Sequence, residues 1–455
     1  MAEQKNQRPC SIGLVAHVDA GKTTLSEAML YTAGVRRTLG RVDHKDAFLD
    51  THELERRRGI TIFSKQAQLQ LAHRQITLVD TPGHVDFSAE AERVMPILDC
   101  AVLVISGTDG IQAHTLTLWR LLQRYQVPVF LFINKIDLPC RSARELIGQL
   151  QQQLDPGCVD MTADTPEAAE QVAMLDEQLL EQYLQTGQLP RESLCRLIAQ
   201  RKLFPCCFGS GLKLENVDVL LQLLEQFAPV GAYTEAFGAK VYKISRDPQG
   251  NRLTWLKLTG GSLRVRDTIK YTGPDGTQLE EKLVQLRIYS AEKFTAAEQV
   301  SPGTLCAVTG LSATWAGQGL GVQAHGQKPA LEPVMTYRLV LPKATDPATF
   351  LPKLRQLEEE DPMLQLYWDG QIHVKIMGKV QLEILRSLVQ QRFGMEIQFD
   401  SGRICYKETI ADTVEGVGHF EPLRHYAEVH LLLEPLSRGS GLVFHTACST
   451  DVLEQ

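Results

Sequence analysis

The pattern of apolar and polar positions changes several times along this chain of 455 residues. From residue 10 to about residue 228, short apolar runs alternate with amphipathic segments such as Leu25–Ala33 and Val217–Phe227. Apolar strands that alternate with amphipathic helices are typical of a parallel-rich sheet with helices on both faces. We therefore predict an α/β domain over residues 1–230, with a polar helical insertion at about residues 140–200.

A second pattern begins after this domain. From residue 235 to residue 331, apolar and polar positions alternate with a period of two, and turn signals such as Gly260-Gly261 separate the segments. Short strands at this spacing are typical of a β-barrel or a sandwich. We assign a β-barrel domain to residues 235–331.

Residues 333–402 follow a third pattern, in the order strand, helix, strand, strand, helix, strand. The expected strands are Val334–Leu341, Leu364–Trp368, Ile372–Met377 and Met395–Phe399, and the expected helices are Ala348–Glu359 and Val380–Phe393. This βαββαβ order predicts a ferredoxin-like α+β domain.

The last range, residues 403–455, is too short to bury much apolar surface alone. We expect it to be the start of an incomplete fourth domain. The predicted fold class is thus multidomain α/β, with an α/β domain, a β-barrel domain, a ferredoxin-like domain and this truncated segment.

Composition narrows the class of protein. No apolar run reaches the roughly 18 residues of a membrane span, and the polar N-terminus does not resemble a signal peptide. We expect a cytoplasmic monomer without a membrane partner. The net charge of −7 argues against non-specific nucleic-acid binding and so against DNA, although local patches can still dock on a ribonucleoprotein. The densest basic patch is Arg56-Arg57-Arg58, which could equally be a solvated surface.

The first candidate site follows the apolar run Ile12–Val15 and reads Ala-His-Val-Asp-Ala-Gly-Lys-Thr-Thr. A loop that opens onto a helix offers backbone N–H groups to a triphosphate. Lys22 can supply a cation to the β and γ oxygens, and the Thr23 hydroxyl can bind Mg²⁺. Ala16 stands where this motif usually has its first glycine, so the segment alone could be a Gly-Lys turn before an ordinary helix. The expected phosphate-loop residues are His17, Val18, Asp19, Ala20, Gly21, Lys22, Thr23 and Thr24.

A second candidate segment, Asp80-Thr81-Pro82-Gly83-His84, follows another apolar strand. An acidic residue at the end of such a strand can hold Mg²⁺ through water, which is the role expected for Asp80. Gly83 can place its N–H group against the γ-phosphate. Hydrolysis also needs a group that orients the attacking water, and His84 is placed for this work. The alternative is that His84 is an exposed residue without chemistry.

Two more segments are candidates for contacts with the base of the nucleotide. Asn134-Lys135-Ile136-Asp137 follows an apolar run, and the Asp137 carboxylate can accept hydrogen bonds from the N1 and 2-amino groups of guanine. Adenine lacks this pair of donors. Ser210-Gly211 follows a further apolar stretch and can offer a backbone donor to guanine O6. Four such segments in this order predict a site for GTP and GDP with Mg²⁺.

These segments, together with Leu54-Glu55-Arg56-Arg57-Arg58-Gly59-Ile60-Thr61-Ile62, resemble translational GTPases. The domain order resembles elongation factor G. Within this group, the sequence most resembles the tetracycline-resistance ribosomal protection proteins and their elongation-factor-like relatives. The insertion that follows Asp137 is shorter than that of elongation factor G, which favours the protection proteins.

The resemblance implies a GTPase that docks on the ribosome, contacts the sarcin–ricin loop of the large-subunit rRNA and hydrolyses GTP there. It implies that Thr61 completes the Mg²⁺ shell and that His84 positions water. It also implies that Val18 and Ile60 form an apolar gate beside His84. The catalytic set is then Lys22, Thr61, Gly83 and His84.

Two alternatives stay open on the sequence. One is a housekeeping or quality-control paralogue of elongation factor G. The other is a nucleotide-gated module that docks on the ribosome with little hydrolysis.

Overall fold

The computed structural model describes residues 9–40, 48, 55, 60–342, 345–406, 408–421, 426–437 and 440–446. The chain divides into two compact units, Met1–Arg403 and Ile404–Gln455. None of the helices in these ranges is long and apolar enough to cross a bilayer.

The first unit opens with a seven-stranded sheet. Its strands are β1 (Cys10–Ala16), β2 (Lys65–Gln70), β3 (Gln75–Asp80), β4 (Cys100–Ser106), β5 (Val129–Asn134), β6 (Cys158–Asp160) and β7 (Phe204–Phe208). Their order across the sheet is β2-β3-β1-β4-β5-β7-β6. All neighbouring pairs are parallel except β2 with β3, which is antiparallel. The carboxyl ends of the parallel strands therefore meet at one edge, where ligands of such sheets bind.

Eight helices accompany this sheet in the described residues. They are α1 (Lys22–Thr32), α2 (Ser88–Val94), α3 (Ala113–Arg124), α4 (Ala143–Gln153), α5 (Pro166–Ala173), α6 (Glu177–Thr186), α7 (Arg191–Ala199) and α8 (Val217–Phe227). Alternate residues of β4 enter different cores: Val102 packs with α1 and α8, whereas Leu103 packs with α3 and α4. A strand points successive side chains to opposite faces, so the sheet is covered on both sides.

The expected insertion contains α4 to α7, but it also contributes the edge strand β6. A strand of three residues is too short to show a period of two, so the sequence pattern could not reveal it. The helices begin where side chains accept first-turn N–H groups: Ser142 caps α4, Thr165 caps α5 and Asp176 caps α6.

The next part of the unit is antiparallel β-structure. Its strands are β8 (Gly238–Arg246), β9 (Arg252–Gly260), β10 (Leu263–Arg264), β11 (Thr268–Thr272), β12 (Gln278–Lys282), β13 (Gln285–Ser290), β14 (Lys293–Ala297), β15 (Gln299–Val300), β16 (Leu305–Thr309) and β17 (Gly319–Gly321). Six of them form a sheet in the order β14-β13-β16-β9-β8-β17, and β10–β15 and β11–β12 form separate pairs. Residues from these sheets share one apolar core, which includes Val241, Leu256 and Leu286.

The last part of the unit contains β18 (Met335–Val340), α9 (Pro347–Glu360), β19 (Tyr367–Trp368), β20 (Ile372–Ile376), α10 (Lys379–Phe393) and β21 (Gln398–Phe399). These six elements have the predicted βαββαβ order, and the sheet runs β19-β20-β18-β21. A two-residue strand, β22 (Arg403–Ile404), follows in the chain. Two strands start later than predicted: the one expected at Met395–Phe399 begins at Gln398, and the one expected at Leu364–Trp368 begins at Tyr367. Leu364 ends a 3-10 turn that Asp361 caps, and only Tyr367 and Trp368 form the strand.

The described residues of the second unit contain one hairpin. Strands β23 (Val414–Phe420) and β24 (Ala427–Leu433) pair in antiparallel fashion. Several apolar side chains of this hairpin are exposed, among them Val417, Phe420 and Leu432.

Candidate nucleotide-binding site

The loop between β1 and α1 has the backbone that phosphate binding requires. Asp19 and Gly21 both adopt left-handed φ angles, 61° and 87°. A Cβ atom at Gly21 would also collide with Nδ2 of Asn134. Glycine is therefore needed here for both conformation and space. The loop leads directly into the N-terminus of α1, whose free N–H groups attract anions.

Four predicted side chains converge at the start of α1. Lys22 forms an ion pair with Asp80, and its Nζ lies 3.3 Å from Oγ1 of Thr61. Thr61 Oγ1 lies 3.5 Å from Thr23 Oγ1 and 3.4 Å from Asp80 Oδ2. Lys22, Thr61 and Asp80 are at most 6% exposed. Two hydroxyls and a carboxylate are oxygen ligands that suit Mg²⁺, and the adjacent ammonium suits a phosphate.

Hydrogen bonds of the two residues that follow Thr61 help to position it in this cluster. The buried Glu55 carboxylate accepts hydrogen bonds from the N–H groups of Ile62, at 3.0 Å, and Phe63, at 3.1 Å. Lys65 pairs with the same carboxylate. The backbone directly after Thr61 is therefore bonded to the buried Glu55 side chain. Arg56, Arg57 and Arg58, the basic patch noted in the sequence, lie outside the described residues.

A cleft of about 440 Å³ opens above this cluster. Twelve residues line it: His17, Val18, Asp19, Gly21, Lys22, Thr23, Thr24, Ile60, Thr61, Gly83, His84 and Lys135. The predicted catalytic residues and the predicted gate residues therefore line the same cleft. Asp80 is fully buried and does not reach the wall, and Ala20 lies in the neighbouring depression.

Gly83 and His84 sit where the sequence placed them, after β3. A Cβ atom at Gly83 would lie 3.2 Å from the Ala16 carbonyl oxygen, so the strand end approaches the phosphate loop closely. The His84 side chain caps a 3-10 turn, Val85–Phe87, because its Nδ1 accepts the Asp86 N–H at 3.1 Å. An accepting Nδ1 assigns the proton of the neutral ring to Nε2.

Among the residues expected to contact the base of the nucleotide, Asn134 makes hydrogen bonds that connect two loops of the protein. Asn134 donates from Nδ2 to the Ala20 carbonyl, at 2.9 Å, and its Oδ1 accepts the Gly211 N–H, at 2.9 Å. It therefore ties the phosphate loop to the segment that starts at Ser210. Asp137 is exposed and Ser210 is buried. Of the residues expected at the base, only Lys135 lines the cleft, whereas Asn134, Asp137, Ser210 and Gly211 do not. The contact of all five with a base stays a prediction.

Sequence reasoning missed one histidine beside the site. His114, in the first turn of α3, is buried, and its ring centroid lies 5.7 Å from that of His17. Burial, with the nearby His17 and His84, lowers the pKa of His114 to about 4. The only signal in the sequence was a lone histidine in an amphipathic helix, which points to no particular role.

Comparisons with known proteins identify the domain that contains this cleft. The family described as "Elongation factor Tu GTP binding domain" matches residues 7–230. The tetracycline resistance protein TetP of Clostridium perfringens is 31% identical, over 95% of this chain and 71% of its own length. TetM of Streptomyces lividans is 32% identical, over 96% and 73%. Elongation factor G 2 of Syntrophus aciditrophicus is 27% identical, over 97% and 77%.

A solved structure agrees on the fold. The crystal structure of a protein from Thermus thermophilus superposes with a TM-score of 0.74 at 23% identity, over 94% of this chain and 73% of that chain. Similarity extends over nearly the whole chain, well beyond the nucleotide domain. The chain belongs to the translational GTPases of the class that contains elongation factor G and the tetracycline-resistance ribosomal protection proteins.

Proposed function

We propose that this protein is a ribosomal-protection-type factor that binds GTP and hydrolyses it to GDP and phosphate on the ribosome. The observation that carries the proposal is one cleft that holds Lys22, Thr23 and Thr61 together with His84. A nucleotide-gated module without hydrolysis would not need a histidine on that wall. We further propose that the factor acts in the cytoplasm as a monomer.

The residues divide the work of phosphoryl transfer. Lys22 would neutralise the β and γ oxygens, and the Gly83 N–H would bind the γ-phosphate. Thr23, Thr61 and, through water, Asp80 would hold Mg²⁺, whose charge stabilises the phosphate oxygens when it is bound. His84 would orient the attacking water. Because His84 Nδ1 is engaged with its own turn, Nε2 is the nitrogen that can face this water.

The ribosome would complete the site. His84 shares the cleft wall with the apolar side chains of Val18 and Ile60. We propose that these two hold His84 away from the γ-phosphate until the sarcin–ricin loop of the large-subunit rRNA draws it inward. Hydrolysis would then be slow in solution and fast on the ribosome.

Base selection is assigned to the second group of residues. Asp137 would accept from guanine N1 and the 2-amino group, Lys135 would flank the base, and the Ser210-Gly211 backbone would donate to O6. Asn134 would support this pocket by tying its two loops together.

The finer domain assignment is also a proposal. Residues 1–230 are the GTP-binding domain, 235–331 a β-barrel, 333–402 a ferredoxin-like domain and 403–455 part of a fourth domain. The strand order β19-β20-β18-β21, with β18 in the interior, supports the ferredoxin-like assignment. The shared core of the antiparallel strands supports the barrel.

The choice of the protection type over a paralogue of elongation factor G rests on similarity. Tetracycline resistance proteins match at 28–32% identity, and an elongation factor G 2 matches at the similar value of 27%. A direct test is release of ribosome-bound tetracycline by the GTP-loaded protein, with translocation measured in parallel. Translocation without tetracycline release would favour the housekeeping role.

The proposed chemistry is tested by single-turnover GTP cleavage with and without saturating ribosomes. We expect slow cleavage alone and strong stimulation by ribosomes. His84→Ala should keep its GTP affinity and lose at least about tenfold in the stimulated rate, since an interaction made only in the transition state lowers kcat and spares binding. His73→Ala, a change of an exposed histidine in the loop after β2, is the control. A high intrinsic rate that ribosomes leave unchanged would refute the proposal.

A further inference from the structure

The buried His114 is bonded to the segment that carries His84. It is the second residue of α3 and is 5% exposed. Its Nε2 lies 2.9 Å from Oγ of Ser88, the first residue of α2. Ser88 directly follows the 3-10 turn Val85–Phe87, which His84 caps at its other end.

The direction of this hydrogen bond follows from the neighbouring groups. The Ser88 hydroxyl donates to the Val85 carbonyl oxygen, at 2.7 Å. A hydroxyl carries one hydrogen, so with that hydrogen given to Val85 the Ser88 oxygen accepts from His114, which assigns the proton of the neutral ring to Nε2. The path from His114 through Ser88 thus ends at the carbonyl of Val85, the residue next to His84.

Other contacts place the His114 ring between this turn and the nucleotide cleft. The ring meets His17 edge-on, with centroids 5.7 Å apart and ring planes at 71°, and His17 lines the cleft with His84. The Nδ1 atoms of both rings lack a hydrogen-bond partner among the described residues. Buried nitrogens without a hydrogen-bond partner are rare because each costs free energy, so these two atoms call for an explanation.

The protonation state is consistent with this place. Burial is the main cause that lowers the pKa of His114 to about 4, and the nearby His17 and His84 act in the same direction, whereas the Gly83 backbone raises the pKa. The ring is therefore neutral at pH 7 and carries one N–H group, which the contact with Ser88 assigns to Nε2.

We propose that His114 is a positioning residue for GTP hydrolysis, which sets the turn that carries His84 through the hydroxyl of Ser88. This inference rests on the proposed GTPase function. His114 does not line the cleft, so it acts through His84 and not on the nucleotide.

The test compares two substitutions of His114. His114→Ala removes the donor, whereas His114→Gln places an amide N–H near the position of the lost Nε2–H. We expect His114→Ala to lower ribosome-stimulated GTP cleavage by about tenfold while the Kd for GTP stays within about twofold. We expect His114→Gln to recover most of the rate. A structural role alone would affect binding and cleavage together and would not distinguish the two variants by their cleavage rate.

A double-mutant cycle with Ser88→Ala checks the path. If His114 acts through Ser88, the double variant should cleave GTP no more slowly than His114→Ala alone. Additive losses would overturn the path, and so would a His114→Gln variant as slow as His114→Ala. Loss of GTP affinity in His114→Ala would also overturn the proposal.

The wild-type protein in the same assay separates the two proposals. If ribosomes do not stimulate wild-type cleavage, the proposed function fails, and the intrinsic cleavage rates of the three proteins decide the role of His114. Equal intrinsic rates in wild type, His114→Ala and His114→Gln would then refute the positioning role.

Discussion

At the scale of single residues, the neighbours of each side chain decide what it can do. Lys22 and Asp80 are buried together, so their charges compensate each other where water cannot. Asp137 is exposed and its carboxylate faces solvent, which leaves it open to a ligand.

Asp137→Asn should shift base preference from guanine toward xanthine. The amide of asparagine offers a donor that suits the 2-oxo group of xanthine, while guanine loses an acceptor and leaves a polar group unpaired. Calorimetry with GTP and XTP would measure both affinities, and Asp164→Asn, a change at another exposed aspartate, is the matched control. Unchanged GTP affinity without any gain for XTP would contradict the assignment of the base site.

His114 should make stability depend on pH in a defined window. Its pKa is about 4 in the folded protein and near 6.5 when unfolded, so the unfolded chain binds more protons between these values. The free energy of unfolding should therefore fall as the pH is lowered from 6.5 to 4, by up to about 1.4 kcal/mol per pH unit. Urea unfolding of wild type and His114→Gln at pH 7, 6 and 5 measures this, and parallel curves would contradict it.

At the scale of elements, the site depends on how strands end and helices begin. The loop before α1 needs Gly21 for a left-handed φ of 87° and for clearance from Asn134. Asn134 in turn holds the segment at Gly211. A change in one loop should therefore be transmitted to the other.

Gly21→Ala should weaken GTP binding and destabilise the fold beyond the cost of the φ angle alone. Gly34→Ala is the matched control, because Gly34 also has a positive φ, 73°, but a Cβ atom there would meet nothing within 4 Å. We expect about 1–2 kcal/mol from the left-handed backbone in both variants. Only Gly21→Ala should add a further loss and reduce GTP affinity, as thermal unfolding and calorimetry would show. Equal effects would mean that contact with Asn134 is unimportant.

At the scale of the whole first unit, helix α2 connects its parts. The buried Glu90 accepts the Ser64 N–H, at 3.1 Å, and pairs with Lys243 of β8, at 3.0 Å. Arg93 pairs with Glu90 and donates to the carbonyl of Glu360 at the end of α9, at 2.8 Å. Lys243 and Arg93 hold the pKa of Glu90 at about 2 against the effect of burial. The helix that follows His84 is therefore bound to both later parts of the unit.

Glu90→Gln should strongly destabilise the contacts between these parts. It leaves Lys243 and Arg93 without their buried counter-charge, a change that costs about 3–5 kcal/mol in comparable cases. Glu359→Gln is the control, since Glu359 pairs with Arg246 and Arg252 but is 44% exposed, and an exposed pair contributes about 0–1 kcal/mol. Urea unfolding should separate the two variants clearly. Similar midpoints would show that Glu90 does not link the parts.

The sequence by itself determined the family, and it predicted the candidate nucleotide-binding segments and most of the order of the elements. Phosphate binding uses contiguous residues such as those from His17 to Thr24, and the end of an apolar strand is visible as a local pattern. The βαββαβ order was predictable for the same reason, although the strands expected at Leu364–Trp368 and Met395–Phe399 both start later than predicted.

Only the tertiary structure decided which distant residues support those segments. Asn134 meets Gly211 across 77 positions of the chain, Glu90 meets Lys243 across 153, and His114 meets Ser88 across 26. No local pattern encodes such pairs, because a hydrogen bond between remote residues exists only after the chain has folded. The edge strand β6 likewise exists only because β7 pairs with it. The candidate site residues could therefore be predicted from local patterns in the sequence, whereas the contacts that position them depend on packing.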